Sequence, residues 1–146
     1  MKRSFFAVGL FVAAITTTNA MASDVAPTAV VLNVQPNTPI WTGDTVTIDA
    51  SGLVPGQFML LFFSPTLGNI DLGIAQLGLG MPLAMQFMGF ATSTSFHAQE
   101  VLPPMPQVLG GMTFHTQLMA AGISLGFPIE ITVSVSNLDA ISFASN

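Results

Sequence analysis

Glycine and proline interrupt this chain so often that it has little room for long regular elements. They account for 13 and 10 of its 146 residues. Beyond residue 22, no window keeps helical periodicity for the roughly ten residues that a helix needs. Short apolar segments bounded by Gly, Pro, Asn and Ser fill the chain instead. This pattern predicts short β-strands joined by turns, without crossover helices.

Several segments alternate between apolar and polar residues with the period of two expected for a sheet half in water. Residues 44–50 alternate clearly, and so do residues 129–136, where four side chains are predicted to point inward: Ile129, Ile131, Val133 and Val135. Residues 58–63 are apolar without a break, which predicts a strand covered on both faces. Further strands are predicted at residues 30–34, 73–77, 83–90, 93–101, 112–120 and 140–144.

Seven or eight short strands at this spacing favour an antiparallel β-sandwich, Ig-like or jelly-roll-like. The sequence contains no internal repeat, no low-complexity linker and no composition shift that would mark a second domain. We therefore expect one domain over residues 23–146. Within it, Pro55 and Gly56 predict a type II turn, because proline restricts one torsion and glycine accepts a positive φ.

The first 22 residues have the three-part layout of a secretory signal peptide. Lys2 and Arg3 precede an apolar run at residues 5–15, and polar residues then lead to Ala20-Met21-Ala22. We expect the mature chain to start at Ser23, with cleavage after Ala20 as the alternative. An uncleaved anchor or a buried N-terminal helix is the competing interpretation. The prediction is a chain without a membrane-spanning segment, located extracellularly, at the cell surface or in the periplasm.

Charge and cysteine content exclude several functions. Removing residues 1–22 takes away both cations and none of the seven acids, so the formal charge falls from −5 to −7. Nucleic-acid and nucleotide binding depend on cationic side chains that neutralise phosphate, so neither is expected. The chain has no Cys, which excludes thiol catalysis, disulfides, Cys-based zinc sites and iron–sulfur clusters. We expect solvated carboxylates and no cofactor.

From Gly52 onward, the order of several motifs resembles small β-sandwich modules of bacterial exported proteins, most of them without an assigned function. The matching pieces, over about the last hundred residues, are Gly52-Leu53-Val54-Pro55-Gly56, Leu72-Gly73-Ile74-Ala75-Gln76-Leu77-Gly78, Leu102-Pro103-Pro104-Met105-Pro106, Leu109-Gly110-Gly111-Met112-Thr113-Phe114-His115-Thr116-Gln117 and Ser136-Asn137. The resemblance implies a sandwich and export, and it carries over no catalytic residue. Phe114-His115 stands where many such modules have a Tyr, so this chain lacks that hydroxyl.

One motif suggests nucleophilic catalysis. Gly122-Ile123-Ser124-Leu125-Gly126 spells the nucleophile elbow, in which the serine lies on a strand-to-helix turn and the histidine follows it. Here His97 and His115 both precede Ser124, and no helical pattern follows. We expect a chance match and no enzyme, and keep a small secreted hydrolase using Ser124 with His97 or His115 as an alternative.

Three groups of residues contain possible metal ligands, but none of them has the arrangement of a metal site. His97, Glu100 and His115 offer ligands, but positions 97 and 100 fall on opposite faces of a strand. Met81, Met85 and Met88 are more simply explained as gap-fillers of an apolar interior. The acids lack the alternate spacing of a calcium loop: Asp44, Asp49 and Asp71.

Trp41 is the one candidate binding residue. It lies near a predicted turn, where its ring can stack on a sugar, and the competing interpretation places it in the sandwich core.

The composition predicts a surface suited to association with other molecules rather than to catalysis. Charged residues make up 6% of the chain, against about a quarter in typical domains, and half of the residues are apolar. We expect a secreted, non-catalytic protein that associates with itself or with a cell-surface matrix. A glycan or surface-ligand binding module is the alternative. Strand addition of residues 28–34 to a neighbour's open sheet edge is a second route to association.

Overall fold

β-Strands make up most of the described chain. A computed structural model of the protein describes residues 29–41, 43–102 and 109–145. The strands are β1 (Val31–Gln35), β2 (Thr45–Ser51), β3 (Phe58–Ser64), β4 (Leu67–Asp71), β5 (Gln76–Leu79), β6 (Ala84–Phe90), β7 (Ser95–Val101), β8 (Thr113–Ser124), β9 (Glu130–Val135) and β10 (Asp139–Ser142). All strand pairings are antiparallel, which confirms the predicted all-β sandwich.

Some of the sequence-based predictions concern residues outside the described ranges. The leader of residues 1–22, with both candidate cleavage positions, is one of them, and most of the proline motif at residues 103–106 is another. In the part that is described, no helix has both the length and the apolar character needed to cross a bilayer.

The first sheet has the strand order β1-β2-β7. The alternation predicted for β2 is confirmed, because Val46, Ile48 and Ala50 are buried. Their partners in β1 are buried too, with Leu32 opposite Ala50 and Val34 opposite Ile48. The other face of this sheet is in water and mostly polar, with Val31 half exposed on it.

The second sheet is organised around the long strand β8. One edge of β8 pairs with β3, whereas its other edge pairs first with β10 and then with β9. Strand β6 pairs with the far side of β3 and forms the opposite edge of the sheet. Because β8 is twelve residues long and β3 only seven, β8 and β9 continue past the end of β3.

Strand β3 is covered on both faces, as its unbroken apolar sequence predicts. Met59 and Leu61 are fully buried in the core between the two sheets. Phe62, on the opposite face, packs with Leu77 and Leu79 of β5. The β4–β5 hairpin is therefore a third layer that covers part of the second sheet.

One side of the sandwich is closed by contacts between β1 and the start of β10. The Asn137 side chain accepts a hydrogen bond from the Leu32 N–H (2.7 Å) and donates one to the Leu32 carbonyl (2.9 Å). Asp139 Oδ2 accepts from the Val34 N–H at 2.6 Å. Both edges of β1 thus have hydrogen-bond partners within the chain. This strand is therefore not available to pair with an open sheet edge of a neighbour, as the strand-addition hypothesis required.

The turn predicted at residues 52–56 is present. The Gln57 N–H donates to the Val54 carbonyl at 3.1 Å, and Gly56 has a φ of +92°. Gly52 also has a positive φ, of +77°, and a Cβ on it would overlap the Ala29 carbonyl oxygen. Glycine is required there for two reasons, the backbone conformation and the space.

The sequence patterns missed β4, ended β8 too early and wrongly assigned two isoleucines to the interior. Strand β4 contains Gly68 and Asn69, which have low strand propensity, and it pairs only with β5 among the described strands. Strand β8 extends to Ser124, four residues beyond the predicted end. Ile129 and Ile131, predicted to point inward, are 65% and 40% exposed, since no third layer reaches the end of this hairpin.

Candidate interaction surface

The β8–β9 hairpin projects beyond the rest of the second sheet. The pairing of β3 with β8 ends at Phe58 opposite Ala121, whereas β8 and β9 remain paired out to Ser124 opposite Glu130. Beyond Ala121, the edge of β8 that faces β3 therefore has no partner in β3. The β4–β5 hairpin does not cover the side chains at this end, because it packs on Phe62 and Met119.

This projecting end carries exposed apolar residues, which we call the apolar tip: Ile123, Leu125, Phe127, Ile129 and Ile131. Leu125 is 87% exposed and Phe127 is fully exposed. Glu130 is the one charged residue between positions 122 and 132. Exposed apolar clusters of this kind mark contact surfaces, because leaving them in water is unfavourable.

A second apolar group lies along β6, and we call it the β6 patch: Met85, Phe87 and Phe90. All three are at least half exposed. Phe87 and Phe90 form an edge-to-face aromatic pair with ring centroids 5.7 Å apart. Strand β6 itself contains no charged residue and, within the described residues, pairs only with β3.

The apolar tip and the β6 patch belong to the same face of the second sheet. Phe87 lies opposite Leu60, which in turn lies opposite Met119. Residues directly opposite each other share a face, and alternation along β8 places Ile123 on the face of Met119. Ile131 lies opposite Ile123. The face turned away from the first sheet thus has exposed apolar residues near both of its edges.

The structure separates Ser124 from both histidines. His115 is on the same strand, nine residues earlier, which corresponds to about 30 Å at the rise of an extended strand. His97 lies on β7, beside Asp49 on the outer face of the first sheet. Neither imidazole is placed to take the proton of the Ser124 hydroxyl, which requires hydrogen-bond reach.

His97 forms an ion pair or hydrogen bond with Asp49, with Nδ1 and Oδ1 2.6 Å apart. Both side chains are about half exposed, and surface pairs of this kind contribute little to stability. Glu100 lies opposite Val46, on the other face of β7, as the odd spacing predicts. Among the residues that the structure describes, no three His, Asp or Glu side chains come together as a metal site.

The three candidate methionines do not converge. Met85 lies opposite Phe62 on one face of the second sheet, whereas Met88 packs against the core on the other face. Met81 and Met85 are 72% and 50% exposed, so their interpretation as gap-fillers of the interior is wrong. Only Met88 fills that role.

The candidate calcium ligands are engaged in local contacts. Asp44 Oδ2 accepts the Trp41 N–H, and Asp71 Oδ1 accepts the Gly73 N–H, each at 2.7 Å. Asp49 contacts His97. These carboxylates stabilise turns and a cross-strand pair.

Trp41 is 52% exposed, so the interpretation as a core tryptophan is wrong. It follows the buried Ile40 and precedes Asp44, whose backbone N–H donates to the Trp41 carbonyl at 3.1 Å. A half-exposed indole at the end of a sandwich can stack on a flat apolar face of a ligand.

A cleft of about 430 Å³ lies where β2, β7 and β9 approach one another, lined by Ser51, Gly52, Leu53, Val54, Thr94, Ser95 and Ser134. Its lining has hydroxyl groups and no charge. It offers hydrogen bonds to a neutral polar group and no acid–base chemistry.

The apolar tip was not found from the sequence, although a signal was present. Apolar side chains occupy every second position of residues 123–131, and Gly126 and Pro128 mark a turn at their centre.

Comparisons with protein-family models, with curated proteins and with solved structures find no match for this chain.

Proposed function

We propose that this protein is a secreted, non-catalytic structural component that associates with copies of itself outside the cytoplasm. The observation that supports this function is the apolar tip, an exposed apolar hairpin end of the sandwich. Burial of exposed apolar surface is the main driving force of protein association. Only 6% of the residues are charged, so few ionised groups have to lose their hydration in such a contact.

The leader-like N-terminus supports the proposed location. A positive start, a short apolar run and Ala20-Met21-Ala22 are the features that direct a chain into export. Intact-mass measurement of the exported protein is expected to give a chain starting at Ser23. A protein that keeps Lys2 and Arg3 would contradict this part of the proposal.

The test of self-association is size-exclusion chromatography with light scattering on the exported protein over a range of concentrations. We expect the mean mass to rise with concentration. The double variant Leu125→Ser/Phe127→Ser is expected to remain a monomer, because it removes the two most exposed apolar side chains. The control is Val31→Ser, which removes a half-exposed apolar side chain from the outer face of the first sheet.

A monomer at every concentration would contradict the proposal. So would a Val31→Ser variant that dissociates as completely as the tip variant, since association would then not depend on the tip.

A second candidate function is glycan binding through Trp41, favoured by its exposure. Trp41 is the only Trp, and the chain has no Tyr, so tryptophan fluorescence reports this one site. A glycan array is expected to give a signal that Trp41→Ala abolishes, with a matching change in Trp41 fluorescence on titration. Binding that survives Trp41→Ala would contradict this function.

A further inference from the structure

The apolar tip and the β6 patch lie toward opposite edges of one sheet face. The spatial order of the strands is β6, β3, β8 and then β9, with the tip at the end of the last two. Phe58 and Ala121 lie between them in the same row across the sheet. The β4–β5 hairpin covers Phe62 and Met119 further along these strands. The face thus has two exposed apolar regions, with Phe58 and the buried Ala121 between them, and a part that the β4–β5 hairpin covers.

The exposed apolar area is large enough for a specific contact. Phe87, Phe90 and Phe127 are 57%, 64% and 105% exposed. At about 200 Å² for a whole aromatic side chain, these three residues leave roughly 450 Å² in water. A standard interface covers about 800 Å² on each partner. The four aliphatic residues of the tip add most of the remaining area.

The charges favour a second copy of the chain over a membrane as the occupant. Apolar elements that bind membrane surfaces are typically flanked by Lys and Arg, which contact anionic headgroups. The described residues contain neither, and they carry six carboxylates. An anionic leaflet would repel such a chain. A second copy presents uncharged apolar surface, which is typical of the centre of homodimer interfaces.

We infer that two copies associate about a two-fold axis, with the apolar tip of each packed on the β6 patch of the other. This inference rests on the proposed function. The tip lies further along the strands than the β6 patch, because β8 and β9 continue past the row of Phe58 and Phe90. A two-fold axis at right angles to the line between the two regions exchanges them. It therefore places β6 of one copy over the β8–β9 end of its partner, and the reverse contact follows by symmetry. Each copy then covers both of its apolar regions in one closed interface.

Cross-linking tests this arrangement, since the chain contains no Cys that would give a background. Met85→Cys places a thiol in the β6 patch, and Ile129→Cys places one in the tip, while each variant keeps all three exposed aromatic residues. The two variants are mixed in equal amounts, oxidised, and analysed by mass spectrometry. The mixed disulfide between positions 85 and 129 is expected to exceed both like pairs at least several-fold. Val31→Cys, on the outer face of the first sheet, is the control and is expected to stay uncross-linked.

The outcomes separate this inference from the proposed function. If light scattering detects oligomers but like pairs at 85 or 129 dominate, the crossed arrangement is wrong and self-association stands. If the protein is a monomer throughout, both fail. Vesicles of phosphatidylcholine and phosphatidylglycerol are expected not to bind the protein. Sedimentation with these vesicles that Phe127→Ser abolishes would assign the tip to a membrane and overturn the inference.

Discussion

A single carboxamide completes the hydrogen bonding of a strand edge in this protein. Asn137 satisfies both the N–H and the carbonyl of Leu32, and it does so from a position 105 residues away in the sequence. A free strand edge is a template for pairing with other chains. By occupying this edge, Asn137 and Asp139 leave β7 as the open edge of the first sheet among the described strands.

We predict that Asn137→Ala destabilises the protein by about 1–3 kcal/mol, the cost of leaving a partly buried backbone donor and acceptor without partners. Urea unfolding followed by circular dichroism measures the free energy of unfolding. Asn33→Ala is the matched control, because Asn33 is exposed on the adjacent position of β1. If the two variants lost equal free energy of unfolding, the hydrogen bonds of Asn137 to Leu32 would not be the cause of the destabilisation.

Substitutions at Gly52 and Gly56 separate two effects of an added Cβ, namely the backbone strain of a positive φ and steric overlap with a neighbour. Both have a positive φ, but an added Cβ meets the Ala29 carbonyl at Gly52 and nothing within 4 Å at Gly56. Gly56→Ala is expected to cost about 1–2 kcal/mol, from the backbone conformation alone. Gly52→Ala is expected to cost clearly more, or to prevent folding. Thermal unfolding of the pair checks the order, and a less stable Gly56→Ala would contradict it.

At the scale of elements, the β4–β5 hairpin is attached to the second sheet by both apolar and polar contacts. Gln117 Oε1 accepts the Gly78 N–H of β5, while Gln117 Nε2 donates to the Ser136 carbonyl, both at 2.9 Å. Ser136 Oγ in turn accepts the Leu118 N–H at 2.9 Å. Gln117 is 7% exposed, so these bonds are made away from water, where an unpaired group is unfavourable.

We predict that Gln117→Leu loosens this hairpin, because it leaves the Gly78 N–H and the Ser136 carbonyl unpaired. The expected loss in the free energy of unfolding is about 1–3 kcal/mol. Amide hydrogen exchange of β5 is expected to accelerate more than that of β2. Gln99→Leu, at an exposed position of β7, is the control. Uniform acceleration over both strands would contradict a local role.

Burial separates two sets of leucine and phenylalanine residues that look alike in the sequence. Leu125→Ser and Phe127→Ser are expected to change the free energy of unfolding of the monomer by no more than about 0.5 kcal/mol, as for other exposed positions. Leu61→Ala, at a fully buried position of β3, is expected to cost about 2–5 kcal/mol. Denaturant unfolding at low protein concentration tests this. A tip variant as unstable as Leu61→Ala would mean that the tip packs within its own chain.

At the scale of the whole molecule, every charged side chain in the described residues is acidic or histidine. Two copies therefore repel each other at long range, while the surfaces that we expect to touch are apolar apart from Glu130. Such an arrangement makes association depend on ionic strength in a known direction, because salt screens the repulsion and leaves the apolar contact intact.

We predict that self-association strengthens as sodium chloride is raised from about 0.01 to 0.15 M, over which the Debye length falls from about 30 to about 8 Å. Sedimentation velocity measures the dissociation constant. Sodium sulfate at equal ionic strength is the control that separates screening from salting-out. Weaker association at higher salt would point to an interface held by charge, and would contradict an apolar one.

Local structure was largely predictable from the residues themselves. The alternation of β2, the two-sided burial of Phe58–Ser64 and the turn at Pro55-Gly56 depend on torsions and on which neighbours are apolar, and these are properties of short segments. The absence of Lys and Arg beyond residue 3 is likewise a property of composition, and it removes the cationic side chains on which nucleic-acid binding depends. Strand β4 was missed because Gly68 and Asn69 have low strand propensity and form a strand only by pairing with β5.

Contacts between segments distant in the chain determine which apolar side chains remain in water. Phe62 and Phe127 both lie in apolar segments, yet one is covered by the β4–β5 layer and the other projects beyond the end of β3. Alternation along a strand assigns a side chain to a face, but whether that face is covered depends on strand lengths, register and layers formed by residues distant in the chain. For that reason, residue patterns alone predict a lightly charged sandwich with more apolar residues than one core can bury, whereas long-range packing places the excess on the tip and on β6.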